Sequence, residues 1–257
     1  MTIHVAEQLA DLVRGRYGAA CHVPVDVELL ARSMGVHSIQ FAPLVEDGRL
    51  ETDGSTARIL IRDSSSGARQ RFTIAHEIGH LLLANPGQSG VERRLAATND
   101  VERFCDQFAA AVLLPKEWVK QRYGSQPQSL DTLRHLAETT RTSLAASLVR
   151  LQQTLGWSRM LLQWRNTTGR WRFRWGAGVP NSIHGRLQAT EETRELFDAI
   201  RSRTGQDVEV RLPLLVNKRH VWWPAVVSCR GSSALVLVEP WAGTTQPTGF
   251  TDPAMPG

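Results

Sequence analysis

Apolar positions recur at helical spacing through most of the first 157 residues of this 257-residue chain, and at strand spacing through most of the remainder. The opening "MTIHVAEQLADLVRGRYG" is amphipathic, and "VDVELLARSMGV" predicts a second helix with Asp26 as N-cap and Gly35 as its stop. "HSIQFAPL", "GRLETDG" and "ARILIR" are short and β-rich, separated by Gly, Asp and Ser, and predict a small antiparallel sheet. In "RFTIAHEIGHLLL", Phe72, Ile74, Ala75, Ile78, Leu81 and Leu82 fit a largely buried helix. Residues 86–98 are polar and read as a loop. "NDVERFCDQFAAAVLL" predicts a helix opening at Asn99 or Asp100, and Pro115 closes it and starts a short successor.

Residues 128–157 predict two helices around "TTRTS", with Leu130, Leu133 and Leu136 on one apolar stripe and Leu144, Leu148 and Leu151 on another. A helix-turn-helix and a plain helical hairpin both explain that pattern. From residue 158, "RMLLQWRN", "GRWRFRWG", "DVEVRLPLLV", "HVWWPAVVSC" and "ALVLVEP" read as mostly antiparallel strands, and "TEETRELFDAIRSR" as a helix capped by Thr190 or Thr193. The pattern divides the chain into residues 1–125, a helical segment 126–157, an α+β domain 158–241 and a disordered Pro/Gly/Thr-rich tail 242–257.

Composition narrows the function. No apolar run approaches the roughly 18 residues that cross a bilayer, and the N-terminus has no signal-peptide pattern, so a cytoplasmic protein without a membrane partner is expected. Three widely spaced cysteines, Cys21, Cys105 and Cys229, imply no disulfide framework. The net charge of +5 lies wholly beyond residue 157, where 13 Lys/Arg face 8 Asp/Glu; the first 157 residues balance 17 against 17. A basic half beside a neutral half suggests an anionic partner, although a generically basic surface gives the same count.

The chemistry starts at His76, Glu77 and His80. Residues i and i+4 share a helix face, so the two histidines can aim imidazole nitrogens at one zinc ion, with Glu77 placed to take a proton from its water. The competing reading is a helix whose histidines are buried and hydrogen-bonded. What favours metal is the next predicted helix. Catalytic zinc wants three protein ligands and an open position, and Glu102, twenty-two residues after His80, can be the third. Asp106, one turn further on, can hold a ligand histidine's other N–H.

"RFTIAHEIGHLLL" followed by "VERFCDQFAAAVLLP" resembles the ImmA/IrrE family of bacterial metallopeptidases, and the similarity extends over about residues 20–155, through "VPVDVELLARSMGV" and "SLAASLVRL". It implies a zincin-like, gluzincin-like zinc endopeptidase domain holding one Zn2+ per chain. His76, His80 and Glu102 would be its ligands and Glu77 its catalytic base. The usual substrate in that family is a helix-turn-helix (XRE-type) repressor, cut in response to DNA damage, a mobile element or phage. The family's C-terminal domain is often a GAF-like sensor. One subset, the CapP-type proteases of antiphage operons, is activated by single-stranded DNA, and the basic C-terminal half favours that type. The implied fold class is therefore α+β: a zincin-like domain, a helical (HTH-like) extension and a GAF-like sensor domain. Two departures stand out: Cys105 where the family usually has alanine, and Asp106 where asparagine is frequent.

Three further sets of residues are candidates. Cys105 or Cys21 could supply an inhibitory thiolate to the open zinc position, against the plainer reading of a buried small cysteine. Tyr123, His135 and His220 are unranked candidates for a donor to the oxyanion. In "GRWRFRWG" the period of two puts Arg170, Arg172 and Arg174 on one strand face and Trp171, Phe173 and Trp175 on the other. This is either a solvated arginine face over an aromatic core or a single-strand groove, which Lys218, Arg219 and His220 could extend. A DNA-binding regulator or antitoxin-like protein with a structural or vestigial zinc site is the alternative function. An intact Glu77 argues against it, since a structural site needs no base.

Overall fold

The computed structural model describes residues 2–18, 22–53, 56–84, 100–180, 183, 186–202 and 206–240. The predicted loop 86–98, Asn99, the tail and Cys21 lie outside them. The chain separates into two compact units, Met1–Trp157 and Ser158–Gly257.

In the first unit, helices α1 (Thr2–Arg16) and α2 (Val27–Ser33) precede strands β1 (Val36–Ala42), β2 (Gly48–Thr52) and β3 (Ala57–Arg62). Asp26 caps α2 by accepting the Leu29 N–H at 2.9 Å. The sheet order is β1-β3-β2. It is mixed rather than antiparallel: β2 and β3 form the expected hairpin, but β3 also pairs with β1 in parallel. The difference is topological. β2 occupies the far side of β3, so β3 returns alongside β1 in the same direction. β2 is thereby left as an edge strand.

Helix α3 (Gly67–Ala84) packs on β2 and β3; it buries Thr73, Ile74 and Ile78, and β3 wholly buries Ile59 and Ile61. Helix α4 (Val101–Leu113) buries Phe104, Cys105, Phe108, Ala109 and Val112 and packs against α1 and α3. A run of apolar residues this dense reflects two flanking partners rather than one. α5 (Lys116–Tyr123), α6 (Leu130–Thr140) and α7 (Leu144–Leu155) complete the unit. Ser129 and Ser143 cap α6 and α7, and Gly156 ends α7 with φ +68°. The buried Arg150 of α7 donates to the Leu114 carbonyl at 2.6 Å and pairs with Glu7 of α1 (Nη2–Oε2 3.1 Å). The α6–α7 pair is thereby tied into the core of the first unit.

The second unit is one antiparallel sheet, order β5-β4-β9-β8-β7-β6, from β4 (Met160–Thr167), β5 (Arg170–Ala177), β6 (Leu187–Ala189), β7 (Asp207–Val216), β8 (Arg219–Arg230) and β9 (Ser233–Val238). Its end strands β5 and β6 approach each other, so the sheet curls toward closure. Helix α8 (Glu191–Arg201) fills the inside with Phe197 and Ile200 against Trp164 and Trp171. Its N-terminus uses both expected residues: Thr190 and Thr193 form a reciprocal capping box. The short β6 has no signal in the sequence.

One expectation about β5 is corrected. Trp171 and Phe173 do face the core, with Phe173 edge-on to Trp164 at 5.3 Å between centroids. A bulge interrupts the ladder, however: Phe173 pairs with Trp164 but Trp175 pairs with Gln163, leaving Arg174 as the extra residue. Since paired residues share a face, the bulge moves Trp175 onto the face of Arg165 and Arg172. A strict period of two cannot anticipate an inserted residue.

Candidate metal centre

Helix α3 presents His76 and His80 one turn apart, and α4 brings Glu102 to them. His76 Nε2 lies 3.1 Å from His80 Nε2 and 3.2 Å from Glu102 Oε2, and His80 Nε2 lies 3.3 Å from Glu102 Oε1. Ligand atoms at zinc bond lengths of about 2.0–2.1 Å in a tetrahedron stand roughly 3.3–3.4 Å apart. The donor triangle therefore fits a zinc-sized ion in both chemistry and dimensions. Glu102 is the exposed corner, its side chain 74% accessible, whereas the histidines are largely covered.

Around the triangle, Asp106 Oδ1 sits 2.9 Å from His76 Nδ1, so the ring's second nitrogen is held by a carboxylate. Burial works against charge on His76, but the hydrogen bond and charge of Asp106 outweigh it and hold this imidazole above its usual range. His80 is held below that range by burial and by His76 beside it. Glu77 is buried, and burial pushes its carboxyl above the usual carboxylate range. The Leu50 backbone N–H of β2 donates to it and partly offsets that push.

Two glycines set these approaches, and sequence reasoning missed both. A Cβ on Gly79 would stand 3.2 Å from both Cα and Sγ of Cys105, so α3 and α4 touch there almost backbone to backbone. A Cβ on Gly48 would lie 2.9 Å from the Leu60 carbonyl oxygen and against Thr73, so only glycine lets β2 lie this close to α3. For Gly79 the signal available was a glycine and a small residue, Cys105, on two neighbouring helices.

The remaining candidates fall elsewhere. Cys105 is wholly buried, its Sγ within 4.8 Å of the histidine ligand atoms. Burial, then the charges of Glu102, Glu77 and Asp106, push its thiol well up. Tyr123 is buried and hydrogen-bonded to His135 Nδ1 at 2.9 Å, so those two groups serve each other. His220 is an exposed β8 residue of the second unit. Arg170, Arg172 and Arg174 are exposed on β5, and Lys218 and Arg219 sit at the β7–β8 turn, where Asn217 and Lys218 have φ of 52° and 63°. The structure does not gather these into one strip.

An HExxH helix, a glutamate from the following helix and a mixed sheet edge against Glu77 are now joined by a match in sequence. Residues 31–152 match the IrrE N-terminal-like domain family. The chain is 31% identical over 134 residues to the radiation response metalloprotease IrrE of Deinococcus radiodurans, covering 47% of this chain and 38% of that protein. It is 29% identical over 137 residues to the Deinococcus deserti protein of the same name, covering 48% and 46%. The chain thus spans less than half the length of these relatives. A Mycobacterium tuberculosis transcriptional regulator has a similar fold, with a TM-score of 0.55 at 14% identity over 91% of this chain and 75% of that one. The matched range contains every residue of the donor triangle, together with Glu77, Asp106 and both glycines. Among the described residues no helix is long and apolar enough to cross a membrane.

Proposed function

We propose that this protein is a zinc-dependent endopeptidase that cleaves a helix-turn-helix (XRE-type) repressor, and that its C-terminal unit, in the role of a GAF-like sensor, switches cleavage on when it takes up single-stranded DNA. The observation that carries the peptidase reading is the convergence of His76, His80 and Glu102 beside a buried, N–H-bonded Glu77. Zinc held by these three side chains supplies Lewis acidity toward water and a carbonyl oxygen. Glu77 accepts the attacking water's proton, and its raised affinity for a proton suits it to pass that proton on to the leaving amine. Asp106 fixes the His76 ring through Nδ1 and so keeps Nε2 directed at the triangle. Among the described residues no strand pairs with the outer side of the edge strand β2, on which an extended substrate segment can add as a further strand, beside the base that Leu50 holds. The activator reading rests on the arginines of β5 and the concentration of the chain's positive charge in the second unit.

The test combines metal analysis with cleavage of a repressor encoded beside the protein, with and without zinc and single-stranded DNA. Alanine at His76, His80 or Glu102 should remove zinc and cleavage together. Glu77→Gln should retain zinc and lose at least about 100-fold in rate. Full-rate cleavage by the Glu77→Gln protein would overturn the mechanism.

A further inference from the structure

The register of the second sheet brings together basic residues that are far apart in sequence. Arg172 on β5 pairs with Arg165 on β4, Arg165 with Ser233 on β9, and Ser233 with Arg230 on β8. Directly paired residues point to the same face, so three guanidiniums line one row running across the strands. The row covers three strand spacings of roughly 4.8 Å, about 14 Å in all. Arg170 lies at the end of β5 beside it, paired with Thr167, and Arg174 is the extra residue of the bulge. All five arginines are exposed, and none has a carboxylate partner among the described residues. Asp207 and Glu209 of β7 bound the row on its far side, by their pairing with Ser228 and Val226. The bulge sets the half-buried Trp175 on this same face, paired with Gln163 next along β4 from Arg165.

From this register we infer that a single-stranded phosphodiester chain crosses the sheet on this row, with Arg165 and Arg230 as phosphate ligands and Trp175 as a stacking surface for one base. The inference rests on the reading that the second unit takes up single-stranded DNA, and it relocates the contact: the track runs across β5, β4, β9 and β8 rather than along β5 alone. A row of unpaired guanidiniums neutralises phosphates, and an aromatic ring beside it is useful only to a base free of its complement. Lys218 and Arg219 are outside the track, because β8 carries Arg219 at one end and Arg230 at the other.

Binding of a fluorescein-labelled oligothymidylate to the full chain, followed by anisotropy at several salt concentrations, tests this. Arg165→Gln with Arg230→Gln should flatten the slope of log K against log salt by roughly 1.4, at about 0.7 for each phosphate no longer neutralised. The corresponding double lysine variant should retain the slope, and Lys218→Gln with Arg219→Gln should leave it unchanged. Trp175→Leu should weaken binding at least about fivefold without changing the slope. Wild-type slope in a double glutamine variant with native circular dichroism and melting temperature would overturn the row. Equal affinity for a duplex of the same length would overturn the single-strand assignment. No binding by the wild-type chain would remove the activator reading itself, and this inference with it.

Discussion

Asp106 and Asp47 show what single carboxylates do here. Asp106 touches His76 Nδ1 and no other described group as closely, so its removal should leave the fold intact and weaken zinc binding about 10- to 100-fold, measurable by competition with a chromophoric chelator. Asp47 acts on shape. Its carboxylate receives Arg69 Nε at 2.8 Å and Nη2 at 2.6 Å and lies 3.5 Å from Arg62, so it ties the entry to β2 to the start of α3. The Arg69 hydrogen bond, helped by the charges of Arg69 and Arg62 and opposed by slight burial, holds this carboxyl below its usual value near 3.8. A depressed folded value means the stabilisation is full above the unfolded value and is lost as pH falls through the folded one. Asp47→Asn should therefore lower the melting temperature at neutral pH, and the gap to wild type should close below about pH 4. A gap that stays constant down to pH 3 would show that the charge is not what matters. Both histidines, Glu77 and Glu102 were legible in the sequence because each belongs to a spacing rule. Asp47 was not, since its partners lie on a strand and a helix that only folding brings to it.

At the scale of elements, the site depends on how closely α4 and β2 approach α3. Gly79→Ala would drive a methyl to 3.2 Å from the Cys105 Cα, and since a backbone atom cannot rotate away, relief requires the helices to shift by a few tenths of an ångström. We expect a loss of about 1–3 kcal/mol from overpacking and a fall in zinc occupancy, read by denaturant melts and metal analysis. Adding Cys105→Ala should not restore either, because the conflict includes Cα. Cys105→Ala alone should leave basal cleavage as it was, consistent with a buried packing thiol. A gain of cleavage without any signal would instead assign Cys105 to a latch on the zinc. The α4 sequence announced its helix and both carboxylates, but the closeness of its crossing with α3 depends on two small residues facing one another across separate segments.

For the whole molecule, the division at Trp157 and Ser158 predicts separable responses. Metal bound only by the folded first unit stabilises that unit by mass action. A chelator should thus lower one of two calorimetric transitions and leave the other where it is; a single transition that shifts as a whole would show the units to unfold together. Taken alone, the sequence determined the helices with their caps, the change to strands near residue 158, the HExxH face, the glutamate that joins it and the concentration of charge, because each is written in residues a few positions apart or in simple counts. Tertiary structure decided the rest: the parallel pairing of β1 with β3, the edge position of β2 against Glu77, the bulge that moves Trp175, and the row that joins Arg172, Arg165 and Arg230. Those features depend on register between segments up to dozens of residues apart, and register is fixed by packing of whole faces rather than by any local pattern.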